Sequence, residues 1–100
     1  MKTYGRRGSG KDEFHQPVAV AVDDDGLVYV VDSGNSRIKV LDGNLEFQRH
    51  ITNEGLEGRS CTGIAVSEQG LVVVNWRTRT ITEMSTLGDT IRSFSHNAFQ

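Results

Sequence analysis

Residues 17–41 read PVAVAVDDDGLVYVVDSGNSRIKVL. Three short runs rich in valine, isoleucine and leucine are separated by two clusters of Asp, Gly, Asn and Ser. Runs of this length bounded by such residues are strands joined by tight turns. Residues 18–22 alternate valine with alanine, so both faces are apolar, as expected for an inner strand buried on both sides. Asp23-Asp24-Asp25-Gly26 forms the first turn, with Gly26 free to take positive φ. Residues 27–31 form a second two-sided apolar strand. Residues 37–41 alternate Arg, Ile, Lys, Val, which predicts one wet and one buried face.

The same order returns in residues 61–84, CTGIAVSEQGLVVVNWRTRTITEM. Placing Gly26 over Gly70 gives an offset of 44 residues. Six of the fourteen positions in 17–30 and 61–74 are then identical, namely Ala21/Ala65, Val22/Val66, Gly26/Gly70, Leu27/Leu71, Val28/Val72 and Val30/Val74. The register slips by one residue around residues 76–79. A strand-built repeat of this length points to a propeller blade. The expected fold is all-β, a partial β-propeller of about two four-stranded antiparallel blades.

The outer strands fall at residues 45–51 and 90–94, after the turns Asp42-Gly43-Asn44 and Leu87-Gly88-Asp89. Burial is expected to fall from strand to strand, from axis to rim. The expected organisation is a glycine-containing lead-in at 1–16, a first blade at 17–51, a loop at 52–60, a divergent second blade at 61–95 and the start of a third repeat at 96–100. Propellers close with about four to eight blades. Two blades therefore need the remaining blades of a longer chain, or self-association, to cover their faces and edges.

Composition sets outer bounds. Thirteen acidic against eleven basic residues, a net charge of −2, give no global attraction to nucleic acid or membrane. The longest apolar runs are five residues, too short to span a bilayer. The single cysteine rules out an internal disulfide and favours a reducing, cytoplasmic setting. His15, His50 and His96 lack metal-ligand spacing, and the acidic run at 23–25 lacks the alternating ligands of a calcium loop. No metal, cofactor or catalytic group is expected.

Tyr4-Gly5, Gly8, Phe14 and Pro17, followed by Val20-Ala21-Val22, Gly26, Val30-Val31-Asp32, Asn35, Arg37-Ile38 and Val40, resemble the NHL repeat. The second repeat departs from that pattern. Cys61 stands for Pro17, Asn75-Trp76 stand for Val31-Asp32, and no arginine directly precedes Ile81. Residues 74–100, with Asn75-Trp76-Arg77 and Ser93-Phe94-Ser95-His96-Asn97-Ala98-Phe99-Gln100, look most like the TRIM-NHL ubiquitin ligases. The resemblance implies an NHL propeller acting as a recognition module for a protein partner or ubiquitylation substrate. A separate RING domain would carry the ubiquitin chemistry, and one cysteine cannot build its zinc site. Some NHL relatives bind RNA through a basic propeller face, and the peptidyl-amidating lyases are NHL propellers whose metal site matches no histidine here.

Two groups of residues stand out. Pro17, Gly26, Asp32, Asn35, Arg37 and Gly70 are read as the structural residues of the repeat, with Asp32, Asn35 and Arg37 bonding within a turn. Trp76, Arg77 and Arg79, where a strand gives way to a loop, are the partner-binding candidates, since Trp and Arg dominate interface hot spots. The plainer reading packs Trp76 between blades. Arg37 and Lys39 join Arg77 and Arg79 as a basic stripe on the RNA alternative.

Overall fold

The computed structural model describes residues 6–7, 13–14, 17–59 and 61–94. Two four-stranded antiparallel sheets account for most of these residues. The first runs in chain order through β3 (Pro17–Val22), β4 (Val28–Asp32), β5 (Arg37–Leu41) and β6 (Phe47–Ile51). The second runs through β7 (Cys61–Ser67), β8 (Gly70–Asn75), β9 (Thr80–Met84) and β10 (Thr90–Phe94). Each is a simple meander, as tight turns between consecutive strands require. The lead-in holds one element that the sequence reading treated as irregular, a parallel pair of β1 (Arg6–Arg7) and β2 (Glu13–Phe14). The expected third-repeat start at 96–100, with His96, lies outside the described residues, as do Tyr4, Gly5, Gly8 and His15.

The two sheets stack, with β3 against β7. Tyr29, Val31, Ile38, Val40 and Ile51 of the first sheet and Leu71, Val73 and Met84 of the second form one buried cluster. These residues share a face within each sheet because side chains alternate along a strand. Tyr29 lies opposite Val40, Val31 opposite Ile38 and Ile38 opposite Ile51. Leu71 lies opposite Met84 and Val73 opposite Ile64. Leu56, in the 3-10 turns of residues Glu54–Arg59 that link the sheets, closes the cluster from one end.

Four expectations fail. The inner strand β3 is not buried on both faces, since Val20 and Val22 are 60% and 59% exposed. These valines point away from the second sheet, on a face whose outer part, at Lys39 and Leu41, is buried. Burial therefore does not decline from β3 outward, because β4 and β5 carry the core. Nor does β5 have a wet face. Lys39 is fully buried opposite Val30 and His50, with its ammonium 5.7 Å from the centre of the Phe47 ring. Leu45 stands at φ 63° in the turn rather than in the outer strand.

The repeat register also differs from the sequence alignment. Pro17 pairs with Asp32 where Cys61 pairs with Asn75, and Val20 pairs with Val30 where Ile64 pairs with Val73. The inner strands are thus 44 residues apart and the second strands 43. Five residues separate the paired Val22 and Val28, but four separate Val66 and Leu71. The slip occurs at the first hairpin, not around residues 76–79. Val28 corresponds to Leu71, Val30 to Val73 and Val31 to Val74. Because a one-residue shift exchanges the faces of a strand, the alignment of Val28 with Val72 paired residues that point opposite ways.

Gly26 and Gly70, whose match fixed that alignment, do different work. Gly26 turns the chain at φ 85° in open space, its amide donating to the Asp23 carbonyl at 3.1 Å. Gly70 opens β8 so close to β9 that an added Cβ would strike the Met84 carbonyl oxygen. Gly70→Ala should therefore destabilise the chain by about 2–4 kcal/mol, because backbone must move. Gly26→Ala should cost about 1–2 kcal/mol, the strain of positive φ alone. Denaturant melts of the two variants against the parent check that order.

Candidate partner-binding face

Three segments meet at one end of the stacked sheets. They are the 3-10 turn Ser33–Asn35 after β4, the linker turns Glu54–Arg59, and the turn at residues 76–79 after β8. The linker packs against the first turn and against β7, β8 and β9.

Asp32 ends β4 fully buried. Its Oδ2 accepts from Asn35 Nδ2 at 2.8 Å and from Arg37 Nε at 3.2 Å. Asp, Asn and Arg at this spacing thus close a turn on itself, and Ser36 completes it at φ 53° with its amide on the Ser33 carbonyl. A charge-assisted bond to a buried carboxylate is the strong kind.

Asn75 holds the corresponding place in the second sheet, and Arg79, at φ 54°, corresponds to Ser36. The amides of Arg77 and Thr78 donate to Asn75 Oδ1 at 3.1 and 3.3 Å. Asn75 Nδ2 donates to the carbonyls of Gly55 at 3.2 Å and Glu57 at 2.9 Å. A buried amide thus fixes the turn and ties it to the linker, which a carboxylate could not do because it only accepts. The sequence reading missed Asn75 because it set Asn75-Trp76 against Val31-Asp32. The shorter hairpin at residues 67–70 was the signal that would have shifted the alignment.

Trp76, Arg77 and Arg79 are displayed together on this anchored turn. Trp76 is 60% exposed, and Arg77, Thr78 and Arg79 are exposed beside it. Trp76 is therefore not packed between the two sheets. A cleft of about 250 Å³ adjoins the turn, between Glu54 and Glu57 on the linker and Thr78, Thr80 and Thr90 on the second sheet. The other candidates sit elsewhere. Arg37 is ion-paired with Asp32 with its side chain 13% exposed, and Lys39 is interior. The four-residue basic stripe does not form on the surface, since burial takes Lys39 out of it.

The acidic turn lies at the opposite end of the first sheet. Asp23 Oδ1 accepts the amides of Asp25 and Leu27 at 2.9 and 3.0 Å, and its Oδ2 accepts the Tyr29 hydroxyl at 2.8 Å. Both oxygens thus serve the turn. Burial, then the bond to Asp23, pushes the Tyr29 phenol up to about 12. Cys61 is buried in the core cluster, and burial raises its thiol pKa, which makes it a packing residue rather than a nucleophile. Among the described residues no group of three or more His, Cys, Asp or Glu is placed to hold a metal ion. Nor is any helix among them long and apolar enough to cross a membrane.

Residues 14–41 match the family model of the NHL repeat. That stretch runs from the end of β2 through β5 and contains the Asp32, Asn35 and Arg37 turn. The curated proteins yield no match. Among solved structures, a chain in the crystal structure of a nidogen/laminin complex aligns with a TM-score of 0.70 at 19% identity. The alignment covers 87% of this chain and 33% of that one, so this chain spans a third of that chain's length. The likeness is one of fold. The chain is all-β, and its two antiparallel sheets are arranged as blades of a β-propeller.

Two variants probe this region. Asn75→Asp keeps an acceptor for the turn amides but sets a carboxylate against two carbonyls, and should cost about 2–4 kcal/mol. His50 reports on the interior beside Lys39. Its pKa is lowered by burial and then by Arg37 and Lys39, and its Nε2 has no hydrogen-bond partner among the described residues. Protonation therefore favours the unfolded chain. Stability is full above about pH 6.5, the ordinary histidine value, and falls as pH drops through the lowered folded value. Urea melts across that window should show the loss in the parent and a flatter profile in His50→Gln.

Proposed function

We propose that this chain is a non-catalytic protein-interaction module made of NHL-type propeller blades. On this reading it contributes to partner or substrate recognition, as the propeller does in a TRIM-NHL type ubiquitin ligase acting in the cytoplasm. The observation that carries the proposal is the display of Trp76 with Arg77 and Arg79 on a turn that Asn75 fixes to the linker. An exposed tryptophan flanked by arginines on a rigid turn has the composition and the low ordering cost of an interface hot spot. The adjoining threonine-lined cleft, with Glu54 and Glu57 at its edge, supplies hydrogen-bonding groups of the kind found on a polar interface rim. Loops at one end of a propeller are the usual place for such a surface.

RNA binding is less favoured by the geometry. Among the residues whose side chains are described, the exposed cations of this face are Arg77 and Arg79, with Glu54 and Glu57 nearby, whereas an RNA footprint is basic and clustered. The discriminating experiment cross-links the folded chain in cell extract and compares it with Trp76→Ala. A specific protein should be recovered with the parent, and its measured affinity should fall about tenfold or more in Trp76→Ala, with circular dichroism unchanged. Recovery of RNA instead, with a steep salt dependence abolished by Arg77→Glu and Arg79→Glu, would replace the proposal.

A further inference from the structure

The cleft beside the displayed turn leaves one buried hydroxyl unanswered. Thr82, on β9, lines it and is only 4% exposed, yet its hydroxyl has no hydrogen-bond partner among the described residues. A buried polar group left unpaired costs stability, so its presence calls for a reason. Gly55 keeps that hydroxyl open. A Cβ at this position would stand 2.8 Å from Thr82 Oγ1, and since Gly55 does not have a positive φ, space is what its glycine supplies. Other polar groups around the cleft are committed. The Thr78 and Thr80 hydroxyls bond each other at 2.8 Å, and Thr90 Oγ1 accepts from Asn53 Nδ2 at 3.0 Å. The Gly55 amide donates to Asn53 Oδ1 at 2.7 Å, and Asn75 gives its donors to the Gly55 and Glu57 carbonyls. Glu54 and Glu57 stand exposed at the edge, and neither Arg77 nor Arg79 lines the cleft. Its described side chains therefore present carboxylates and hydroxyls and no cation.

We infer that this cleft receives a lysine or arginine side chain of the partner that contacts Trp76, an inference that rests on reading the chain as a protein-interaction module. Both side chains are donors without an acceptor, the complement of this lining. The charged head donates to Thr82 Oγ1 at the floor and meets the carboxylate of Glu54 at the edge, a charge-assisted contact of the stronger kind. The aliphatic stem of such a side chain can lie along the threonine walls. At about 250 Å³ the cleft holds one long side chain and falls below the range of about 300–1,000 Å³ usual for small-molecule pockets. The unpaired Thr82 hydroxyl is then explained as a group held ready for the bound state. Trp76 supplies apolar contact area, and the cleft supplies the choice of which residue lies beside it.

A random peptide library displayed on phage, selected against the folded whole chain, tests it. The recovered peptides should share a lysine or arginine at one position. Their affinity, measured by calorimetry, should fall about fivefold or more in Thr82→Val and in Glu54→Gln. Replacing the basic residue of the peptide by glutamine should abolish both sensitivities, as a direct contact requires. Thr82→Val keeps the shape of the floor and removes an unpaired hydroxyl, so its urea midpoint should be unchanged or higher. Peptides without a shared basic position overturn the inference, as do peptides indifferent to either substitution. If those peptides still lose affinity in Trp76→Ala, the interaction module stands and only the cleft is refuted. Basic peptides that sense Thr82 and Glu54 but bind Trp76→Ala equally well uphold the cleft and remove Trp76 from the site. Recovery of no peptide overturns the inference.

Discussion

A sheet with two apolar faces cannot satisfy itself, and everything in this chain follows from how that problem is half solved. Tyr29, Val31, Ile38, Val40 and Ile51 meet Leu71, Val73 and Met84, and this shared layer sets how the two sheets are placed. Fully burying such a side chain is worth about 1.5–3 kcal/mol, so the layer outweighs any single turn or ion pair. The linker follows from it. Leu56 caps the layer and carries Gly55 and Glu57 to where Asn75 bonds their carbonyls. The anchored turn that displays Trp76 is therefore a consequence of the core, reached through one leucine and one amide.

The positions of the strands were legible because apolar runs and turn residues alternate plainly, and all eight principal strands fall where those runs lie. The register was not. In valine-rich strands a slide of one residue exchanges valine for valine and leaves almost no mismatch, while it reverses every face. Val30 against Val74 reads as an identity, although Val30 corresponds to Val73. The shorter second hairpin absorbs the difference, and two glycines with unrelated duties conceal it. Lys39 was opaque for a different reason. Alternation marks it as solvated, but a long side chain can lie along apolar surface, and here its ammonium comes to the Phe47 ring.

The candidate face was legible by composition and not by mechanism. Tryptophan beside two arginines at a strand end drew notice, whereas the residue that makes the turn usable did not. Asp32 and Asn75 solve one geometric problem with different chemistry. Asp32 binds side chains of its own turn, Asn35 and Arg37, so the first turn is closed on itself and its arginine is committed. Asn75 spends its acceptor on backbone amides and its donors on the linker. The side chains of Trp76 and Arg77 take no part in that set of bonds, and both are exposed on the turn.

That contrast bears on why the second repeat departs from the pattern of the first. The residues that the NHL pattern reserves for closing the turn are replaced here by Asn75, Thr78 and Thr80, with Arg79 holding the left-handed position. A solution that asks only for the backbone amides of residues 77 and 78 relaxes the demand on side chains at positions 76 and 77, where chemistry can then vary without unfolding the sheet. The first sheet has no such freedom, because its Asp32 is buried and loss of either partner leaves the carboxylate less compensated. Divergence in a repeat is thus directed by which atoms close its turn. Where side chains close it the repeat keeps its motif, and where one amide closes it the loop becomes a surface that can specialise.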